Sequence, residues 1–115
     1  MTYDSGMKNE GLAENKIFQA LADPSRRAIF ESLTRGEVAV KDLTARFDIS
    51  QPAISQHLAA LKDAGLVSSR RAGRCVYYQA EPRGMKPLID WIAHYQAFWT
   101  EHLARLEQLL ERMDE

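Results

Sequence analysis

The stretch "ISQPAISQHLAALKDAG", residues 49–65, contains signals for where a helix begins and where it ends. Ser50 is a residue type that caps helix N-termini, and Pro52 is tolerated in a first helical turn. Gly65 is typical of the position just beyond a helix C-terminus. The sequence therefore predicts a short helix between these signals.

The two sides of this helix differ in character. Ile54, Leu58 and Leu61 converge on one side of a helical wheel, which predicts packing against neighbouring helices. The opposite side carries short or neutral residues: Gln51, Pro52, Ser55, Gln56 and Ala59. Such side chains let a helix enter the DNA major groove, where glutamine and serine can pair with base edges. An ordinary amphipathic helix would show the same distribution of side chains. The elements next to the helix therefore decide between a DNA-reading helix and an ordinary one.

The segments around this helix indicate the fold. Periodicity and capping residues predict five helices, over residues 12–21, 24–35, 38–47, 50–64 and 85–112. Runs with a period of two at residues 66–71 and 75–80 predict a two-stranded hairpin. Short helices followed by a basic hairpin make a winged helix-turn-helix. We therefore expect a mostly α fold in which the hairpin is the wing.

Length and charge fit this interpretation. A chain of 115 residues fits one domain, which we expect over residues 10–113, after a flexible N-terminus at residues 1–9. The net charge is only −1, but residues 62–86 hold six basic and two acidic side chains, a balance of +4. A local basic patch favours a polyanionic partner, although an ordinary solvated surface can carry the same charges.

The sequence also indicates a cellular compartment. Residues 1–15 have no apolar segment typical of a signal peptide, and no uncharged apolar run reaches membrane length. Cys75 is the only cysteine, so no disulfide can form within the chain. We expect a cytoplasmic protein with no membrane partner.

The wing and the helix together supply a candidate DNA-binding set. Arg70, Arg71 and Arg74 cluster near the hairpin tip, where Gly73 permits a sharp turn. Arginine there can clamp phosphates or enter a minor groove, and the alternative is a charged tip that protects a sheet edge. The residues predicted to contact DNA are Ser50, Gln51, Pro52, Ser55, Gln56, His57, Lys62, Arg70, Arg71, Arg74 and Tyr77.

Three segments, "DPSRRAI" (23–29), "ISQPAISQHLAALKDAGLV" (49–67) and "RRAGRCVYY" (70–78), resemble the ArsR/SmtB family of bacterial winged-helix repressors. The resemblance covers about residues 12–110. It implies a homodimer that represses transcription from a pseudo-palindromic operator, joined through its first and last helices. The interface residues that it implies are Leu12, Ile17, Trp91, Tyr95, Phe98, Trp99 and Leu106, although some of these aromatic residues can equally belong to the core.

The family's metal-binding motifs do not match this sequence. Where many members have a Cys-x-Cys pair, this chain has Ala39 and Lys41, which cannot bind a soft metal ion. The motifs of the last helix also fail, because Asp90 lacks a histidine two residues on and His102 lacks a glutamate three residues on. The sequence thus resembles the metal-free branch of the family and predicts no metal, no cofactor and an unknown effector.

Other functions stay open at this point. Asp90, His94 and His102 lie near one face of the last helix, so a nonstandard metal site would make the chain a metal sensor. Cys75 lies near Arg71 and Arg74, whose charges can activate a thiol, and oxidation there would make it a redox sensor. A winged helix can also bind protein instead of DNA. An enzyme is not expected, because no nucleophile–base pair or glycine-rich phosphate loop is present.

Overall fold

The computed structural model describes residues 11–114. Its elements in chain order are α1 (Leu12–Ala22), α2 (Pro24–Leu33), β1 (Val38–Ala39), α3 (Val40–Phe47), α4 (Gln51–Asp63), β2 (Val67–Ala72), β3 (Cys75–Ala80), α5 (Lys86–His94) and α6 (Gln96–Asp114). The predicted class, mostly α in winged helix-turn-helix order, is confirmed. The N-terminus predicted to be flexible, residues 1–9, lies outside the described residues.

One apolar core lies between helices α1–α4 and the sheet. Its fully buried large side chains are Ile17, Ile29, Leu33, Leu43, Ile54, Leu58, Leu61 and Leu66. Helix α4 contributes Ile54, Leu58 and Leu61, the stripe that the helical wheel predicts. Apolar burial is the dominant favourable term in folding, so these residues fix the rotation of α4 about its axis. The opposite face of α4 is thereby held toward the outside.

Helix α4 begins and ends at the predicted signals. The Ser50 hydroxyl accepts a hydrogen bond of 3.3 Å from the backbone N–H of Ala53, which satisfies one of the free donors of the first turn. At the other end, Gly65 has a φ of 78°. The N–H of Leu66 then donates to the carbonyl of Leu61 at 3.0 Å, as in a Schellman motif.

The sheet has one more strand than the sequence predicts. Its order is β1-β3-β2 and both pairings are antiparallel, with Val38 opposite Tyr78 and Ala39 opposite Tyr77. The predicted helix over residues 38–47 therefore begins only at Val40. Two residues are too few to show a period of two, and β1 forms because the free edge of β3 offers backbone groups to pair with.

The predicted helix over residues 85–112 is also divided. It breaks at Tyr95, where φ is −108° and the N–H donates to the carbonyl of Ile92 at 3.0 Å, one residue short of the α-helical partner. Aromatic residues and histidine are weaker helix formers than alanine or leucine, and the segment 91–99 is rich in them. The described residues thus contain six helices instead of five. Across residues 11–114 no helix is both long enough and apolar enough to cross a membrane.

Candidate nucleic-acid interface

The N-terminal half of α4 presents an exposed face without charge. Gln51, Ser55 and Gln56 are exposed, and within residues 11–114 their side chains form no hydrogen bond to another residue. Acidic residues are absent from the first turn, and Lys62 lies in the last. This face has the amide and hydroxyl groups that pair with base edges, and it has no carboxylate that phosphate would repel.

The two wing strands divide the arginines between two sides of the sheet. Strand side chains alternate, so Arg71 shares a side of β2 with Ser69, whereas Arg70 points to the other side. The side of Ser69 faces α4, because Lys62 Nζ donates a hydrogen bond of 2.8 Å to Ser69 Oγ. Arg74 follows Gly73 in a two-residue turn, where Gly73 has a φ of 63°, as in a type II′ turn.

Arg70 is held by two partners on the outer side of the wing. Its Nε and Nη2 atoms donate to the two carboxylate oxygens of Glu37, each at 2.7 Å. Its guanidinium carbon lies 4.8 Å from the centre of the Tyr77 ring. The hydrogen bonds and the opposite charge of the pair lower the pKa of the Glu37 carboxyl and raise the pKa of the Arg70 guanidinium.

A cleft of about 280 Å³ lies between α4 and the wing. Its polar lining comes from Gln51 and Ser55 on α4, Lys41 on α3 and Arg74 at the wing turn. The side chains of Arg74 and Lys41 are exposed, and within residues 11–114 neither forms an ion pair, so both positive charges are available to a ligand. Two cations beside neutral donors suit a phosphate oxygen, which is the chemical group that DNA offers along its backbone.

His57, one of the predicted DNA contacts, lies on α4 and also influences Asp23, the N-cap residue of α2. His57 is half-buried. The pKa of the Asp23 carboxyl is lowered first by the hydrogen bond from the N–H of Arg26, and also by the one from Ser25 and by the charge of His57.

A second surface, the apolar surface, is formed by α1, α5 and α6. Its exposed large side chains are Leu12, Phe18, Ile89, Trp91, Ile92, Tyr95, Phe98, Trp99, Leu103, Leu106, Leu109, Leu110 and Met113. Every residue of α6 from 96 to 114 is exposed in the single chain. Ile17, which the sequence places at the interface, is only 1% exposed, because it faces the core on the inner side of α1. The interface prediction for Ile17 is therefore wrong.

The residues considered for a metal site are separated in the single chain. Among the described residues, no three His, Cys, Asp or Glu side chains come together as metal ligands. Asp90 instead pairs with Lys86 Nζ at 2.7 Å, and His102 Nδ1 lies 2.8 Å from the carbonyl oxygen of Phe98. Cys75 is half-buried and lines the cleft beside the wing turn.

Two residues near this interface could not be found from sequence patterns. Glu37 meets Arg70 across a separation of 33 residues, and no local period signals such a contact. Lys41 stands at a position where the family resemblance places a metal-binding cysteine. The motif therefore shows only that a metal ligand is missing there and gives no sign that the lysine supplies a positive charge to the cleft. Tyr78 packs against the core while Tyr77 lies under Arg70, so strand alternation gives the two tyrosines different roles.

Comparison with known proteins agrees with this architecture. Residues 23–69 match the model of the bacterial regulatory protein, arsR family. The chain is 42% identical over 97 residues to HTH-type transcriptional regulator Rv2034 of Mycobacterium tuberculosis, covering 84% of this chain and 88% of that protein. It is 36% identical to transcriptional repressor SdpR of Bacillus subtilis, covering 70% and 90%. The solved structure of an ArsR-like transcriptional regulator from Rhodococcus sp. RHA1 superposes with a TM-score of 0.69 at 31% identity, covering 85% and 92%.

Proposed function

This chain belongs to the ArsR family of bacterial transcriptional regulators, and on that basis we propose that it represses transcription as a homodimer bound to a pseudo-palindromic operator. As a family member it is a DNA-binding regulator and not an enzyme. The proposed repressor is a single winged helix-turn-helix domain over residues 10–113, acting in the cytoplasm.

One observation carries the proposal. Gln51 and Ser55 on the neutral outward face of α4 and Arg74 at the wing turn line the same cleft, and Lys62 joins the two elements through Ser69. DNA offers base edges in a groove and phosphates along its borders. A recognition helix with a cationic wing beside it matches both groups at once.

Each side chain has a proposed role in this arrangement. Gln51, Ser55 and Gln56 read base edges in the major groove, because their amides and hydroxyl can donate and accept. Arg71 and Arg74 bind phosphates and set the affinity without reading sequence. The remaining contributors on α4 are Ser50, which caps the helix, Pro52 in its first turn, half-buried His57, and Lys62 in its last turn, to which we assign a phosphate contact.

The apolar surface supports dimerisation. A monomer would leave the aromatic side chains of Trp91, Tyr95, Phe98 and Trp99 in water together with the leucines of α6, and exposed patches of that kind mark association sites. Large aromatic residues dominate interface energetics. A two-fold dimer presents two copies of α4, so its operator has two half-sites related by the same symmetry.

We also propose that no metal ion regulates the repressor. Ala39 and Lys41 supply no thiolate, and Asp90 and His102 are already engaged within the chain. Binding to the operator should therefore be equal in chelator and in added Zn²⁺. Weaker binding in Zn²⁺ alone would instead support a nonstandard site shared by two subunits, and weaker binding after oxidation would support the thiol of Cys75 as a sensor.

The roles of helix and wing can be separated by mutation. Gln56→Ala should relax the preference among operator sequences by about 1–3 kcal/mol per affected base pair, because a base contact is lost. Arg74→Ala should weaken binding to every sequence and lower the slope of log K against log salt by about 0.9, because a phosphate contact is lost. Fluorescence anisotropy with labelled duplexes at several salt concentrations measures both quantities.

Gln79→Ala is the matched control for this experiment. Gln79 is exposed on β3 and belongs to the outer side of the wing, away from α4, so its loss should change neither specificity nor slope. An unchanged salt slope in Arg74→Ala would show that the wing turn does not touch DNA.

A further inference from the structure

The pair between Glu37 and Arg70 connects two parts of the chain that the sheet alone leaves loosely joined. Glu37 stands just before β1, at the end of the loop that leaves α2, and Arg70 stands in the middle of β2. β1 and β2 do not contact each other directly, because β3 lies between them. The bidentate pair therefore spans β3 on the outer side of the sheet and ties the wing to the body of the domain.

The geometry of Arg70 is that of a structural side chain. Two of its nitrogens are committed to one carboxylate, and its plane rests near the Tyr77 ring, the residue directly opposite in the sheet register. Parallel hydrogen bonds of this kind fix both partners in orientation as well as in distance. Arg71, the next residue, points to the α4 side and has no ion-pair partner within residues 11–114.

We propose that Glu37 is a positioning residue for DNA binding, which holds Arg70 on the outer side of β2 and so fixes the wing relative to α4. This inference rests on the proposed DNA-binding function. It would replace the sequence-based prediction that Arg70 and Tyr77 contact DNA. In this role Arg70 and Tyr77 form the support of the wing, while Arg71 and Arg74 face the DNA.

The charge of Glu37 is consistent with this role. A free carboxylate near a DNA-binding surface would repel phosphate, whereas a carboxylate paired with arginine adds no net charge. Its side chain is 27% exposed and that of Arg70 is 57% exposed. An ion pair at such exposure contributes modestly, so its loss should change operator preference about three- to fivefold and not abolish binding.

The test compares single variants with a charge swap. Operator and scrambled duplexes of equal length are titrated at several salt concentrations with the wild-type protein, Arg70→Ala, Arg70→Glu, Arg71→Ala and the double variant Glu37→Arg/Arg70→Glu. Arg71→Ala is the matched control, since it is the adjacent residue on the other side of the same strand. Thermal melting followed by circular dichroism establishes that each variant is folded.

The proposal expects a distinct pattern. Arg71→Ala should lower the salt slope by about 0.9, whereas Arg70→Ala should keep the wild-type slope and lose about three- to fivefold of the preference for the operator. Arg70→Glu should lose more of the preference for the operator than Arg70→Ala does, because the introduced carboxylate then faces the carboxylate of Glu37. The swap should recover the preference to within about twofold, because the pair is rebuilt in reverse.

Two results would overturn the inference alone. One is a slope for Arg70→Ala that falls as far as that of Arg71→Ala, which would make Arg70 a phosphate contact. The other is a folded swap variant that binds no better than Arg70→Glu. Wild-type binding that does not depend on salt would overturn the proposed function itself, and the inference with it.

Discussion

The rings of Phe18 and Trp91 meet edge to face, with their centres 5.6 Å apart and their planes at 85°. Phe18 belongs to α1 and Trp91 to α5, so the contact joins helices from opposite ends of the chain. Such pairs add about 0.5–1.5 kcal/mol beyond the burial of their area. The two rings nevertheless remain 45% and 38% exposed. The contact therefore holds α1 against α5 while both rings stay partly exposed, an arrangement that suits the dimer interface proposed above.

Disrupting the apolar surface on α6 should separate the subunits. Leu106→Glu places a charge in the middle of the stripe, and we expect a monomer whose affinity for the full operator falls about 100-fold or more, since each half-site is then bound singly. Gln108→Glu, on the opposite side of α6, should remain a dimer. Sedimentation velocity and anisotropy measure the two effects. A dimer with wild-type affinity in Leu106→Glu would exclude α6 from the interface.

Local signals in the sequence were sufficient to predict the helix-turn-helix. Asp48 adopts the left-handed conformation, with a φ of 52°, as its residue type allows in a turn. Ser50 and Gly65 mark the ends of α4 because capping depends only on nearby backbone groups. The helical spacing of Ile54 and Leu58 predicts which side of α4 is buried, because that spacing is also a local property of the sequence. The candidate DNA-binding face follows from this prediction, because it is the side of α4 opposite the buried stripe.

Non-local features could not be predicted in the same way. Strand β1 forms because the edge of β3 is free to pair with it. The break at Tyr95 separates α5, which ends at His94, from α6, which begins at Gln96. The pairing of Glu37 with Arg70 requires the sheet to be in place first. The strand and the ion pair depend on contacts between distant residues, which a period along one segment does not encode. The break at Tyr95 instead reflects the local run of weak helix formers, which the apolar period along the segment hides.

Stability and DNA recognition should be separable within α4. Leu58→Ala removes a side chain that is 1% exposed, and we expect the free energy of unfolding to fall by about 2–5 kcal/mol. Gln56→Ala lies two residues away on the exposed face and should change stability by less than about 0.5 kcal/mol. Urea unfolding measures both. A large loss of stability in Gln56→Ala would mean that the outward face is packed and unavailable to DNA.

Gly84 should tolerate a side chain less well than Gly73. A Cβ atom on Gly84 would lie 3.0 Å from the Cα of Leu66 and closer still to the carbonyl oxygen of Gly65. Because these neighbours are backbone atoms, we expect Gly84→Ala to cost about 2–3 kcal/mol. Gly73→Ala meets open space and carries only the cost of a φ of 63°, about 1 kcal/mol. Equal melting temperatures for the two variants would contradict the close packing at Gly84.

The N-cap of α2 should make stability depend on pH in the acid range. The pKa of Asp23 is lowered below its ordinary value of 3.8, chiefly by the N–H of Arg26. A lowered pKa in the folded state stabilises the protein above pH 3.8, and this contribution is lost as the pH falls through the folded-state pKa. The melting temperature of wild type should therefore exceed that of Asp23→Asn at neutral pH, and the gap should shrink below pH 3.8.

A constant gap between wild type and Asp23→Asn at every pH would refute this account, since asparagine also caps a helix but does not ionise. The comparison thus isolates the charge of Asp23 from its hydrogen bonding.

Recognition of DNA by α4 and the wing is tested most directly by anisotropy titrations of the wild-type protein. The two probes are a duplex from the region upstream of its own gene and a scrambled duplex of equal length, each at several salt concentrations. We expect binding to weaken steeply with salt on both duplexes, and a preference of about 10³-fold or more for the upstream sequence. Equal affinity for the two duplexes, or binding indifferent to salt, would contradict sequence-specific repression and favour a winged helix that binds protein.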